Sequence, residues 1–336
     1  MIEPQSENLN LFCELNGIET PLNKERIKAG RNSEVWRLFN NKGQGILKNY
    51  YVKPGDPRDR LGTEFGFLSF LFDQGVLNVP RPIGKDAHFN RALYSYLPGD
   101  RPGKIEEWHI TQAIDFIKSI NQHRTNDAAQ TLLPAAEACF SIKDHLDSAQ
   151  RRIQRLLKID PITEIESEVN SFVINRLIPT WENIRYQVEQ DTGLKNHGEA
   201  INKSDRILSP SDFGFHNTLQ NGDDLYFLDF EYAGWDDPAK LICDFTCQPE
   251  LPVCKTQALQ FMEEVATCFP NPESTRYRVQ KLLPVHRLKW CCILLNEFNA
   301  EDRQRRLHAG LSEEGLLEQQ FSKTEHYFDE HLFHYA

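Results

Sequence analysis

The sequence predicts an α+β fold of two lobes, a small, mainly antiparallel sheet with one helix followed by a larger, mainly helical body. Three observations carry that expectation. Residues 26–53 alternate in the manner of strands, with "SEVWRLFN" and "GQGILKNYYV" joined across "NNKGQG", a strong turn signal. The stretch "DRLGTEFGFLSFLFDQG" then reads as a helix, with Leu61, Phe65, Leu68 and Leu71 or Phe72 on one side. After "GDRPGK" the texture changes to long helical periodicity.

Taken in order, "IKAGRNS" supplies a glycine and small polar residues just before the first strand. "VPRPIG" reads as a rigid turn, and "RALYSYLPG" as a further strand ending in a proline–glycine stop. The first lobe is expected at residues 20–97 and the second at 98–336, with the boundary near Leu97 to Gly103. In the second lobe, "IEEWHITQAIDFIKSINQHR", "IKDHLDSAQRRIQRLLK" and "IESEVNSFVINRLIPTWENI" are helical. Residues 208–235 return to short strands and turns, and the chain is helical again from "CKTQALQFMEEVATCF" onward.

Composition narrows the partners. The 336 residues carry 49 acids against 38 bases, a formal charge of −11, which argues against a nucleic-acid partner and suits a cationic one such as an amino sugar. The basic runs "RRIQR" (151–155) and "RQRR" (303–306) read as solvated helix faces. Apolar runs such as "CCILL" stop short of a membrane span, and the N-terminus lacks a basic segment followed by an apolar one, so a cytoplasmic protein is expected. Eight cysteines lack paired zinc spacing and read as free thiols in a reducing compartment.

The segment richest in chemistry is "LSPSDFGFHNTLQNGDDLYFLDFEYAGWDDPAKL", residues 208–241. Asp212, Asn217 and Asp229 surround a short polar turn between apolar runs. That is either a well-capped hairpin or a place that holds a metal and a transferable phosphate. Asp229 follows Asn217 by twelve residues across "NGDD", a spacing at which two adjacent strands bring both side chains together.

From about Arg26 to about Phe298 the chain resembles the aminoglycoside phosphotransferase and choline kinase superfamily, a branch of the protein-kinase-like fold, most strongly at 208–241. The resemblance implies ATP and Mg²⁺ as cofactors and a small-molecule hydroxyl as acceptor. "SDFGFHN" matches the catalytic loop, so Asp212 would orient the hydroxyl and accept its proton while Asn217 holds metal. "FLDFEYAG" makes Asp229 the second metal ligand. Lys48 in "GILKNY" would touch the α- and β-phosphates, and Glu64 in "LGTEFGFLSFL" would pair with it, with Glu34 as a rival partner. Gly30, Asn32 and Ser33 take the place of the phosphate-covering loop. The backbone around Tyr94 to Leu97 would meet the adenine edge.

Other positions keep two readings. Glu231 either touches metal-bound water or substrate, or pairs with an arginine. Asp236 could reach the acceptor pocket, and Trp235 either stacks on a sugar or packs. His216 reads as support or an acceptor contact, and His123 as packing beneath the loop. His286, Arg287 and Lys289 face the cleft or form an exposed basic edge. Relatives mostly carry His-Gly-Asp where this chain has Pro210-Ser211-Asp212. That departure motivates a rival reading, a nucleotide-binding regulatory pseudokinase. A structural protein with acids serving only as turn caps is the other rival.

Overall fold

The computed structural model describes residues 4–27, 33–52, 55–191, 193, 196–300, 302–303 and 315–335. Strands β1 (Asn23–Ile27), β2 (Ser33–Phe39), β3 (Gln44–Tyr50), β4 (Pro82–Asp86) and β5 (Arg91–Ser95) form one antiparallel sheet in the order β1-β2-β3-β5-β4. Side chains alternate across it. Leu38, Leu47 and Leu93 meet Phe12 and Cys13 of a helix preceding the sheet, α1 (Pro4–Leu15). Tyr50, Ala92 and Tyr94 meet the other helix of the lobe, α2 (Arg60–Asp73), through Leu61, Phe67, Leu68 and Leu71. Asp59 starts α2 by accepting the Gly62 N–H at 2.8 Å.

Two expectations are corrected at the sheet edges. "VPRPIG" is not only a turn, because Pro82 opens β4 at the outer edge, where a missing N–H breaks no inner ladder. β1, "NKERI", is largely exposed and has no apolar alternation to announce it. Its place is set by pairing with β2.

The helical lobe comprises α3 (Glu107–Gln122), α4 (Asp127–Gln130), α5 (Ile142–Leu156), α6 (Glu164–Phe172), α7 (Ile178–Gln190), α8 (Pro238–Cys247), α9 (Lys255–Ala266), α10 (Pro272–Leu294) and α11 (Leu316–His331). α10 is its spine and packs on α5, α7, α8 and α11. Set among these helices are two antiparallel pairs, β6 (Ile207–Ser209) with β9 (Gly234–Asp236) and β7 (Thr218–Asn221) with β8 (Asp224–Phe227). The interlobe segment is tied to β7: Asp100 and Gln220 exchange backbone bonds of 3.1 and 2.7 Å. Gly99, at φ 117°, permits that approach, since a Cβ there would lie 2.3 Å from the Gln220 carbonyl.

An aromatic stack fixes the segment after β6 to this lobe. Phe213 lies within 6.0 Å of the rings of Phe116, Phe227, Phe245 and Phe261. The pairs Phe116–Phe227 and Phe245–Phe261 stack at 3.9 Å. Among the described residues, no helix is long and apolar enough to cross a membrane.

Candidate active site

The loop after β6 is anchored by its alternate residues. Phe213 and Phe215 are buried in the core, and Asp212 and His216 beside them are left at the cleft. β6 itself is held by Asn121 of α3, whose amide accepts the Leu208 N–H at 2.9 Å and donates to the Leu208 carbonyl at 3.0 Å. That corrects the role expected of His123, which is half-buried and meets Gln122 instead. Asn121 escaped notice because an asparagine in a helix interior carries no local signal of a distant backbone partner. His109, buried and edge-on to Phe215, adds a second support through Gln220.

In the loop, Ser211 adopts φ 72°, a left-handed conformation costly for a residue with a Cβ. Two bonds enforce it, Ser211 N–H to Ser209 Oγ at 3.0 Å and Asp212 N–H to the Pro210 carbonyl at 3.1 Å. Asn217 donates to the Asp212 carbonyl at 3.0 Å, closing the loop. His216 Nε2 lies 3.3 Å from Asp212 Oδ1. A half-exposed carboxylate steadied by an imidazole can accept a proton from a hydroxyl.

The β7–β8 hairpin turns at Gly222, and Leu228 N–H donates to the Asn217 carbonyl at 2.9 Å, so Asp229 follows directly. On its other side Phe230 N–H donates to Glu64 Oε1 at 3.2 Å, and the Phe230 ring stacks on Phe67. With both neighbours fixed, Asp229 is forced to φ 65°.

Lys48 joins the lobes. Its ammonium donates to Glu64 and to Asp229, each at 2.7 Å, and lies 3.6 Å from Glu231. Glu34 pairs with Arg26 at 3.1 Å instead. Burial alone would lower the pKa of Lys48, but the charges of Asp229, Glu64 and Glu231 overcome it and hold the group well above its ordinary value. Glu231 is buried, and its pKa is raised by burial and by the Asp229 charge. Its carboxylate accepts from Ser33 Oγ at 3.2 Å and lies 3.8 Å from Arg60, the arginine pairing among its two readings. Tyr50 donates to Glu64 at 2.7 Å and meets Tyr94 at 2.6 Å. Arg60 was overlooked, although an arginine in the first turn of a helix opposes the helix dipole and signals an outside partner. Those partners are Asp56, at 2.9 Å, and Glu231.

Three carboxylates therefore surround one ammonium, and one ligand oxygen from each of Glu64, Asp229 and Glu231 falls within 4.8 Å of the others. Such a set of hard oxygen donors with excess negative charge fits a divalent cation of the magnesium type.

The remaining expected residues divide. Asp212, Asn217, His216 and Asp229 border one cleft of about 600 Å³. Asp236 is fully buried beneath it, accepting from the N–H groups of Cys139 and Asp237 and from Lys240 at 2.6 Å; it does not reach the pocket because these donors hold it inward. Trp235 packs, donating its indole N–H to the Ala129 carbonyl at 3.1 Å. Tyr94 sits within β5, between Ile46 and Pro82, whereas Leu97 lies two residues past the last strand residue, Ser95. Gly30 and Asn32 lie outside the described residues. The solvated face expected for "RRIQR" is also corrected: Arg152 and Arg155 border the cleft, held by Glu137 and Asp302.

Behind the cleft runs a buried relay that no motif announced. Asp237 meets His145 Nε2 at 3.1 Å, His145 Nδ1 meets His286 Nε2 at 3.0 Å, and His286 Nδ1 meets Asp244 at 3.0 Å. Arg278 closes one end on Asp237, and Lys289 closes the other on Asp244. His286 and Lys289 thus face inward, as their shared helix face allowed, while Arg287 reaches the His331 carbonyl at 3.5 Å. The relay is assembled from α5, α8 and α10, which only packing brings together.

An antiparallel sheet lobe with its helix and a larger helical lobe define a two-lobed protein-kinase-like fold. Residues 25–245 match the model of the phosphotransferase enzyme family, and the chain belongs to that family. Solved structures agree on the fold. A spectinomycin phosphotransferase in complex with ADP and spectinomycin is 12% identical, with 96% of this chain and 99% of that one covered and a TM-score of 0.62. An ethanolamine kinase of Plasmodium vivax is 12% identical, with 91% and 82% covered and a TM-score of 0.58. A choline/ethanolamine kinase family protein of Mesorhizobium loti is 14% identical, with 97% and 94% covered and a TM-score of 0.57. No curated protein matches the sequence.

Proposed function

We propose that the protein is a kinase that moves the γ-phosphate of ATP to a hydroxyl of a small molecule, a sugar, amino sugar or choline-like alcohol. In this reading residues 20–97 bind the nucleotide, and residues 98–336 carry the catalytic loop and the acceptor site. The observation that carries it is Lys48, bound to Glu64 and Asp229 together, with Asp212 and Asn217 bordering the same cleft as Asp229.

Each residue then has a task. Lys48 neutralises phosphate oxygens, and Glu64 fixes its direction. Asp229 and Asn217 would hold Mg²⁺, which when bound offsets negative charge on the phosphates. Glu231, wedged between Lys48 and Arg60, keeps both cations in place. Asp212, steadied by His216, aligns the hydroxyl and takes its proton as the oxygen attacks. The left-handed backbone at Ser211 and Asp229 keeps these carboxylates oriented before substrate arrives. The ends of α10 and α11, with α5, would shape the acceptor side.

The test is Mg²⁺-dependent phosphate transfer over a panel of sugars, amino sugars, choline-like alcohols and nucleosides. Asp212→Ala and Asp229→Ala run beside the wild type. Transfer reduced by about 10²–10⁴-fold in Asp212→Ala is expected, with loss also in Asp229→Ala. ATP stabilisation without turnover would instead make the protein a nucleotide-binding pseudokinase. Absence of both would sink the nucleotide reading.

A further inference from the structure

Strand alternation places Ile46, Lys48 and Tyr50 of β3 on one face of the sheet, with Ala92 and Tyr94 of β5 on the same face. The register sets Lys48 opposite Ala92 and Ile46 opposite Tyr94, so the two tyrosines flank the lysine from either side. Ala92, buried between them, offers only a methyl group, and the tyrosine hydroxyls meet at 2.6 Å. Both rings are buried against α2, the helix that carries Glu64. The Tyr50 ring also lies 5.2 Å from the Lys48 ammonium.

The two hydroxyls form a chain with one direction. Tyr50 gives its single proton to Glu64 Oε2 at 2.7 Å, so at the contact with Tyr94 it can only accept, and Tyr94 donates. Glu64 Oε2 also receives the Lys48 ammonium at 2.7 Å, and Glu64 Oε1 receives the Phe230 N–H at 3.2 Å. Buried bonds in series strengthen one another. Core packing alone does not call for them, since phenylalanine fills the same space with no hydroxyl to satisfy. The hydroxyls are neutral, so they fix the carboxylate without displacing the ammonium, as a second cation would. Asp229, the other partner at 2.7 Å, comes from the helical lobe, whereas Glu64 is supplied by the lysine's own lobe.

Resting on the kinase reading, we infer that Tyr50 and Tyr94 are positioning residues for the phosphate-binding lysine. They act through Glu64: Tyr94 orders Tyr50, Tyr50 holds Glu64 Oε2, and Glu64 holds the Lys48 ammonium where it meets phosphate oxygens. The long, flexible lysine stem is thereby aimed before the nucleotide arrives, which lowers the cost of binding it. Tyr94 thus serves the nucleotide site through its hydroxyl.

Two readouts on the full chain separate this role from packing and from the kinase reading. The first is acetylation by a small active ester, followed at Lys48 by peptide mass spectrometry. The second is affinity for Mg²⁺-ATP by calorimetry. Tyr50→Phe and Tyr94→Phe keep the rings and remove one hydroxyl each, and Val79→Ala is a core change in the same lobe outside the network. Tyr50→Phe should acetylate faster at Lys48 and bind ATP about five- to tenfold more weakly, with a smaller loss in Tyr94→Phe. The double variant should bind ATP no more weakly than Tyr50→Phe, because Tyr94 reaches Glu64 only through Tyr50. Val79→Ala should lower the melting temperature and leave both readouts unchanged. Unchanged readouts in Tyr50→Phe, equal changes in Val79→Ala, or additive losses in the double variant would overturn the inference. Should Tyr50→Phe fail to fold, Tyr94→Phe against Val79→Ala decides on the same readouts. A wild type that binds no ATP would sink the kinase reading, while the acetylation difference would still show whether the tyrosines hold Lys48.

Discussion

At Lys48 one ammonium faces three carboxylates, and removing it exposes their mutual repulsion. Lys48→Met should cost about 3 kcal/mol in urea unfolding, because buried charges then lack their partner. The same variant should gain more thermal stability from Mg²⁺ alone than the wild type does, since the divalent ion no longer competes with the ammonium. An equal gain in both proteins would show that the ammonium and the ion do not share the Asp229 carboxylate. Ser211 offers a second residue-scale test. Its φ of 72° is strained for serine but open to glycine. Ser211→Gly should therefore raise stability by about 1 kcal/mol, and a loss would show that the hydroxyl holds the loop.

Between elements, the decisive contacts are backbone to side chain and backbone to backbone. Asn121 ties α3 to β6 by two bonds to Leu208, both in the core. Asn121→Ala leaves a buried N–H and C=O unmet, at a cost of about 2 kcal/mol. In the proposed reading β6 leads into the loop that carries Asp212, so transfer activity should fall with it, measurable as a lower kcat at unchanged ATP affinity. Unchanged stability and kcat would mean that the aromatic stack around Phe213 suffices to hold the loop. Gly99→Ala should act differently. The new Cβ would collide with the Gln220 carbonyl and lift the interlobe segment from β7, so ATP affinity should weaken while the isolated loop geometry survives.

Over the whole molecule, the buried histidine relay couples stability to pH. Burial first, and then the Lys289 charge, depress the pKa of His286 to about 3. Between about pH 6.5 and 3 the unfolded chain binds a proton that native His286 refuses, so stability falls as pH drops through that window. The slope approaches about 1.4 kcal/mol per pH unit for this one group. Replacing His286 by glutamine removes that slope, although the variant starts less stable at pH 7. The gap between the melting temperatures of the two proteins should narrow from pH 7 to pH 4.5. A widening gap would mean that native His286 takes the proton.

Local pattern alone was enough for the sheet strands β2, β3 and β5, the amphipathic α2 and most later helices, because alternation and helical periodicity are written in consecutive residues. It also determined the hairpin that sets Asp229 beside Asn217, since a two-residue turn leaves the register no freedom. The pairing of Lys48 with Glu64 rested on resemblance and became visible as contact only in the fold. Asn121, Arg60, the His145–His286 relay and the place of Arg152 in the cleft could not be read at all. Each depends on elements tens of residues apart, and a side chain's partner across such a distance is chosen by packing. Asp236 makes the same point in reverse: beside a loop full of site residues, it was turned inward by Lys240 and two backbone N–H groups. Sequence determined most of the elements and which acids stand at their ends; tertiary structure decided which of those acids are buried against cations and which face the cleft.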